Sequence, residues 1–152
     1  LPLRAKQLRV ELVRLADREP CTVLMDPVLM GKLFDNLLSN AVRYSPAGGL
    51  VQITLTRCSM REAGDAAAAG VEIAIADQGI GIPEAELSLV FDKFVQSSKT
   101  RTNAGGTGLG LAICREIVRL HGGKIWATNN HGPGATLRVA LPVLEAGSGR
   151  TV

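Results

Sequence analysis

The sequence predicts an α/β (α+β) two-layer sandwich, a mixed β-sheet covered on one face by helices. Two stretches, one after Asp26 and one after Leu109, carry the spacing of amphipathic helices, and both are closed by turn residues. Strand-like alternation recurs in pairs around them and not in strict βαβ order, which points to hairpins packed under helices. A chain of 152 residues with 46% hydrophobic content can bury one core, so one domain carries these elements. That domain is expected over residues 1–144, with 145–152 as a flexible C-terminal tail or linker.

Taken in order, Leu8–Leu15 (LRVELVRL) alternates, and Cys21–Leu24 is a second β-prone run after the turn-like Asp17–Pro20, so a β-hairpin is predicted at the start. Asp26 followed by Pro27 is a helix start, a capping carboxylate before a proline at the first helical position, and the apolar pattern runs on to Tyr44. Ser45–Gly49 ends it. Strands are predicted at Leu50–Arg57 and Val71–Asp77, joined by a small-residue surface loop, Arg61–Gly70. From Gln78 to Gly108 regular periodicity is lost, apart from a short helix between Pro83 and Val90, and a stretch of that length reads as a lid. A helix over Leu109–His121 is stopped by Gly122 and Gly123. Lys124–Thr128 and Ala135–Leu141 then form a strand pair across an Asn/Gly/Pro turn.

Composition excludes several classes. No run approaches the roughly 20 apolar residues of a membrane span and no signal core is visible, so a soluble segment without direct membrane contact is expected. Cys21, Cys58 and Cys114 are odd in number and widely spaced, unlike a zinc site or a disulfide scaffold, which points to a reducing cytoplasm. The net charge of +3 is mild and aromatics are few, which argues against nucleic acid as a partner. The start at Leu1 and the polar Glu145–Val152 tail predict a piece of a longer polypeptide.

Three segments carry chemistry. On the first long helix, Leu29, Met30, Leu33, Phe34, Leu37, Leu38 and Ala41 form an apolar arc, with Lys32, Asn36, Asn40 and Arg43 beside it. Asn36 and Asn40 fall on the border, where their amide oxygens could hold a hard cation such as Mg²⁺ and Arg43 could meet phosphate; capping of nearby backbone is the alternative. In VEIAIAD, Asp77 shares a face with Val71, Ile73 and Ile75, so a carboxylate points coreward, where it needs a hydrogen-bond donor. Gly79 and Gly81 follow, letting a flat ligand reach the backbone, and an adenine amino group is a natural donor; a turn aspartate serving its own loop is the other reading. Finally, GGTGLGLAIC places Gly105, Gly106, Gly108 and Gly110 at a helix start, where free amides favour phosphate, unless they form a mobile hinge. This is neither a Walker loop nor a dinucleotide fingerprint.

Together these segments resemble the N, G1, F, G2 and G3 boxes of the histidine-kinase branch of the GHKL ATPases. DNLLSNAVRYSP resembles the N box, DQGIGIP the G1 box, FDKF the F box, GGTGLGLAI the G2 box and GPGAT the G3 box, collinear over Leu24–Pro142. The resemblance implies a Bergerat-type ATP-binding fold. It also implies that Asp77 binds the adenine amino group, that Asn40 coordinates Mg²⁺ with help from Asn36, that Arg43 reaches phosphate and that Tyr44 lines the base. Both asparagines would be the catalytic residues. By the same resemblance Gly79, Gly81 and Ile82 shape the adenine side, with Thr136 assisting Asp77. Gly106, Thr107, Gly108, Leu109, Gly110 and Leu111 contact the phosphates, and Phe91 and Phe94 anchor the lid. Lys99 and Arg101 are lid cations of lower rank.

The implied function is the ATP-binding catalytic domain of a two-component sensor histidine kinase, donating the γ-phosphoryl group of Mg-ATP to a histidine outside this sequence. Where hydrolytic relatives in this superfamily carry a glutamate base, this sequence has Asn36, so transfer to a protein is expected over hydrolysis. The implied partners are the dimerisation and phosphoacceptor helical domain of the same kinase and a downstream response regulator receiver domain. The implied location is cytoplasmic, within a larger sensor that membrane segments could anchor. His121 and His131 lie outside any acceptor motif. A nucleotide-gated interaction domain, an anti-sigma-type serine kinase and a DNA-associated clamp ATPase are the rival readings.

Overall fold

Asp26 opens the first helix, α1 (Pro27–Tyr44), by accepting at Oδ1 from the backbone N–H groups of Val28, 2.9 Å, and Leu29, 3.0 Å. The computed structural model describes residues 6–14, 20–60, 68–98 and 108–144. The second helix, α2, spans Gly110–Leu120, and Gly122 stands just beyond its C-cap with φ of +68°. The strands are β1 (Arg9–Arg14), β2 (Leu50–Met60), β3 (Ala68–Ala76), β4 (Lys124–Asn129) and β5 (Ala135–Pro142), with one 3₁₀ turn at Glu84–Glu86. They form one sheet in the order β1-β2-β3-β5-β4, in which β1 runs parallel to β2 and the other pairings are antiparallel. The mixed sheet with helices on one face is therefore as the sequence predicts.

The opening hairpin is not formed. The Leu8–Leu15 run does supply β1, but its partner is β2, and Cys21–Leu24 contributes only an isolated bridge from Thr22 to Leu144. Parallel neighbours need a long crossover, which α1 provides; alternation marks a strand but not its neighbour. The central pair is also longer than predicted, because Cys58–Met60 continue the ladder against Ala68–Gly70. Gly70 permits this: a Cβ there would lie 2.6 Å from Met60 Cγ. The rest of the predicted connector, and the 145–152 tail, lie outside the described residues.

One face of α1, Met30, Leu33, Leu37 and Ala41, packs with Cys114, Ile117 and Val118 of α2 onto Val51, Val71, Ile75, Val139 and Leu141 of the sheet. The opposite sheet face carries Gln52, Thr54, Glu72 and Arg138, with Arg138 Nη1 paired to Glu72 Oε1 at 2.6 Å. Two contacts fix the ends of the helices. Lys6 Nζ donates to the carbonyls of Val42, Arg43 and Ser45 at 2.9, 2.8 and 3.0 Å, placing a cation at the negative end of α1. His121 Nε2 accepts from the Asp26 N–H at 3.0 Å, and Nδ1 lies 2.7 Å from the Ile117 carbonyl, so the end of α2 is tied to the start of α1. No helix among the described residues is long and apolar enough to cross a membrane.

Replacing Asp26 by Ala removes both side-chain bonds of this cap and leaves the backbone bond to His121. A loss of about 1 kcal/mol is expected, a fall of roughly 3 °C in Tm for a domain of this size, measured by circular dichroism melting.

Candidate functional site: a cleft between Asp77 and the helix α1 amides

The polar border of α1 forms one wall of a cleft of about 230 Å³. Asn36, Ser39, Asn40 and Arg43 stand on it at helical intervals of three and four, so their side chains share a face. Among the described residues the Asn40 amide makes no hydrogen bond. Asn36 is held from below: its side chain bonds the buried Cys114 thiol, whose Sγ also donates to the Leu33 carbonyl at 3.8 Å. Burial pushes the Cys114 thiol up to about 12 and the Asn36 bond opposes this only in part, so the sulfur is a packing group and not a nucleophile.

The far end of the cleft is Asp77, one residue beyond β3. Its Oδ1 accepts from the N–H groups of Gly79, 2.8 Å, and Ala135, 3.3 Å, while its own N–H donates to the Ala135 carbonyl at 3.0 Å. Among the described residues, Oδ2 has no hydrogen bond. Burial raises the carboxyl above the usual aspartate range, and the bonds from Gly79 and Ala135 pull it back. Two glycines allow this geometry. A Cβ at Gly79 would lie 2.5 Å from the Tyr44 carbonyl, and one at Gly134, where φ is +94°, would collide with the Asp77 carbonyl.

The floor is apolar, with Val90 and Leu137, and the N-terminus of α2 closes the remaining side through Gly108, Gly110 and Leu111. Asn36, Asn40, Arg43, Tyr44, Asp77, Gly81, Ile82, Gly108, Gly110 and Leu111 thus line one cavity. Other candidates stand elsewhere. Gly79 lies behind the cleft against Tyr44, and Leu109 is the N-cap of α2. Phe91 is buried in the core, whereas Phe94 is 76% exposed and meets Gly108 through its backbone, its N–H donating to the Gly108 carbonyl at 3.0 Å. Thr136 lies on the other face of the sheet, because alternation in β5 turns Ala135 and Leu137 toward the cleft. Gly106, Thr107, Lys99 and Arg101 lie outside the described residues.

The sequence of the family described as "Histidine kinase-, DNA gyrase B-, and HSP90-like ATPase" matches residues 25–145. The chain belongs to this family. Among its relatives, the sensor histidine kinase WalK of Bacillus subtilis (strain 168) is 41% identical over 142 residues, covering 92% of this chain and 22% of that protein. WalK of Staphylococcus saprophyticus is 38% identical over 138 residues, covering 89% and 22%. This chain therefore spans about a fifth of the length of the curated relatives it matches. The fold also matches the mycobacterial sensor histidine kinase MprB, with a TM-score of 0.77, 30% identity, and coverage of 95% of this chain and 90% of that one. The ATP-binding domain of PrrB from Mycobacterium tuberculosis gives a TM-score of 0.62 at 30% identity, over 91% and 82%. As a member of this ATPase family the chain is an ATP-binding domain, and the relatives named above include sensor histidine kinases.

Some cleft residues are not among those the sequence singles out. Ser39 sits on the same helical face as Asn36 and Arg43, and Ala135 is two residues from Leu137 on one strand face, so wheel and alternation alone would have found both. Val95, Gln96 and Ser97 also line the cleft, but they lie in a stretch with no periodicity to read.

Proposed function

We propose that this chain binds Mg-ATP in the Asp77–Asn40 cleft and donates the γ-phosphoryl group to a histidine on a helical dimerisation domain of the same kinase, in the cytoplasm. The observation that carries this reading is the polarity of the cleft. One end offers a fixed carboxylate with one oxygen unbonded among the described residues, suited to the adenine amino group. The other offers neutral amides, Arg43 and a helix N-terminus, suited to phosphates.

The donor set fits Mg²⁺. The oxygens near the phosphate end are the amides of Asn36 and Asn40 and the hydroxyl of Ser39, neutral ligands for a hard cation that arrives with its nucleotide. Bound there, Mg²⁺ would offset phosphate charge. The protein's own part is alignment: Asp77 and the apolar floor orient the base, while Arg43 and the α2 amides hold the phosphate tail for in-line attack by an external imidazole. Asp77 is the single carboxylate among the described residues of the lining, and it stands at the base end. No described carboxylate is therefore placed to activate water, which favours protein transfer over hydrolysis.

Neither histidine of this chain lines the cleft: both ring nitrogens of His121 are engaged at the end of α2, and His131 stands in the β4–β5 turn outside the lining. Incubation of the chain with labelled ATP is expected to leave it without acid-labile phosphohistidine. Adding the phosphoacceptor helical domain in trans is expected to give a labelled histidine there, from which a response regulator receiver domain would take the phosphoryl group. Strong labelling of the isolated chain, or of serine in the added domain, would count against the proposal.

A further inference from the structure

Two consecutive asparagines, Asn129 at the end of β4 and Asn130 after it, hold the loop that forms the base end of the cleft, although neither lines the cleft itself. Asn129 Nδ2 donates to the Ile82 carbonyl at 2.6 Å and its Oδ1 accepts from the Ile82 N–H at 2.9 Å. One side-chain amide thereby reproduces the double exchange of an antiparallel β pair. Asn130 Nδ2 donates to the Asp77 carbonyl at 2.8 Å and to the Pro133 carbonyl at 3.1 Å, and its Oδ1 accepts from Thr136 Oγ1 at 2.6 Å. The segment from Asp77 to Ile82 is therefore clamped at both ends by side chains, with Ile80 and Gly81 presented to the cleft between them. Thr136, on the outer sheet face, is linked to Asp77 through the Asn130 amide.

From this network we infer that Asn129 and Asn130 are positioning residues that aim the Asp77 carboxylate, and that they set the preference for purines carrying a 6-amino group over purines carrying a 6-oxo group. The inference rests on the proposed ATP site. Each clamp needs a group that donates and accepts at once. Aspartate lacks the donor, and alanine lacks both. With Oδ1 of Asp77 tied to Gly79 and Ala135, a shift of the Asp77 backbone redirects Oδ2, the oxygen left for the base.

The test compares affinities for Mg-ATP and Mg-ITP by calorimetry, since the two nucleotides differ at the 6-position. The unaltered chain is expected to prefer ATP; failure to bind ATP would sink the proposed function and this inference with it. In Asn130→Ala, the loss of one well-placed hydrogen bond is expected to weaken ATP about tenfold and leave ITP nearly unchanged, so that the ATP/ITP ratio falls about tenfold. Asn129→Asp should shift the ratio the same way. Circular dichroism checks folding, and if Asn130→Ala does not fold, Thr136→Val removes only the hydroxyl that orients the Asn130 amide, with an expected change of about threefold. A merely structural role for the pair would lower Tm or weaken both nucleotides equally. A ratio within about twofold of the parent in folded variants would overturn the inference.

Discussion

Asp77→Asn is expected to weaken ATP binding by at least about 100-fold, beyond calorimetric detection, while Tm stays equal or rises. The asparagine can keep its carbonyl oxygen where Oδ1 now accepts from Gly79 and Ala135. What then occupies the Oδ2 position is an NH₂ group, a donor facing the adenine amino donor. The site loses a charge-assisted bond and gains an unpaired donor, each costing about 1–3 kcal/mol. Stability follows the opposite sign. Burial raises the folded-state carboxyl above its ordinary value, so Asp77 contributes stability that is present below the unfolded pKa and lost as pH rises through the folded one. At neutral pH the parent therefore carries a penalty that the neutral amide lacks. The same direction gives a pH dependence: as pH falls, the ATP affinity of the parent should begin to decline above the ordinary aspartate range. A variant that binds ATP normally, or a parent whose affinity is flat through the acid range, would contradict the assignment of Asp77 to the base.

The first helix was legible to the residue because its signals are local. Asp26, Pro27 and the apolar arc need no knowledge of the rest of the chain, and the structure begins and ends α1 where they indicate. The partners of β1 were not legible, since alternation is the same whether a strand pairs with a hairpin neighbour or, as here, across a helix. The site shows the same division. Faces and spacing picked out Asp77, Asn36, Asn40 and Arg43 one by one, the resemblance of their segments to the family's boxes joined them, and these residues line the same cavity. Thr136 came instead from the wording of a motif, and strand alternation places its neighbour Ala135 in the cleft. Asn129 and Asn130 read as turn residues in sequence. Their bonds to Ile82 and Asp77 span 47 and 53 positions, which no local pattern encodes.

Asn40→Ala is expected to remove the effect of Mg²⁺ on nucleotide binding. In the parent, ATP affinity should rise when Mg²⁺ is added and fall when it is chelated. In the variant the two conditions should give nearly the same Kd, with affinity in Mg²⁺ reduced by at least about 30-fold. The position makes this a clean measurement. Asn40 sits on the cleft wall of α1, one turn from Asn36 and from Tyr44, and among the described residues its amide bonds nothing that the truncation would leave unsatisfied. Alanine is also the better helix former, by up to about 0.7 kcal/mol, so α1 should be no less stable. Lost binding with an unchanged or higher Tm therefore separates a missing ligand from a damaged fold. Asn40→Asp keeps an oxygen at the same place and should restore part of the Mg²⁺ dependence that alanine removes. If the alanine variant responds to Mg²⁺ as the parent does, the cation is held by other groups and the phosphate end of the cleft must be reassigned.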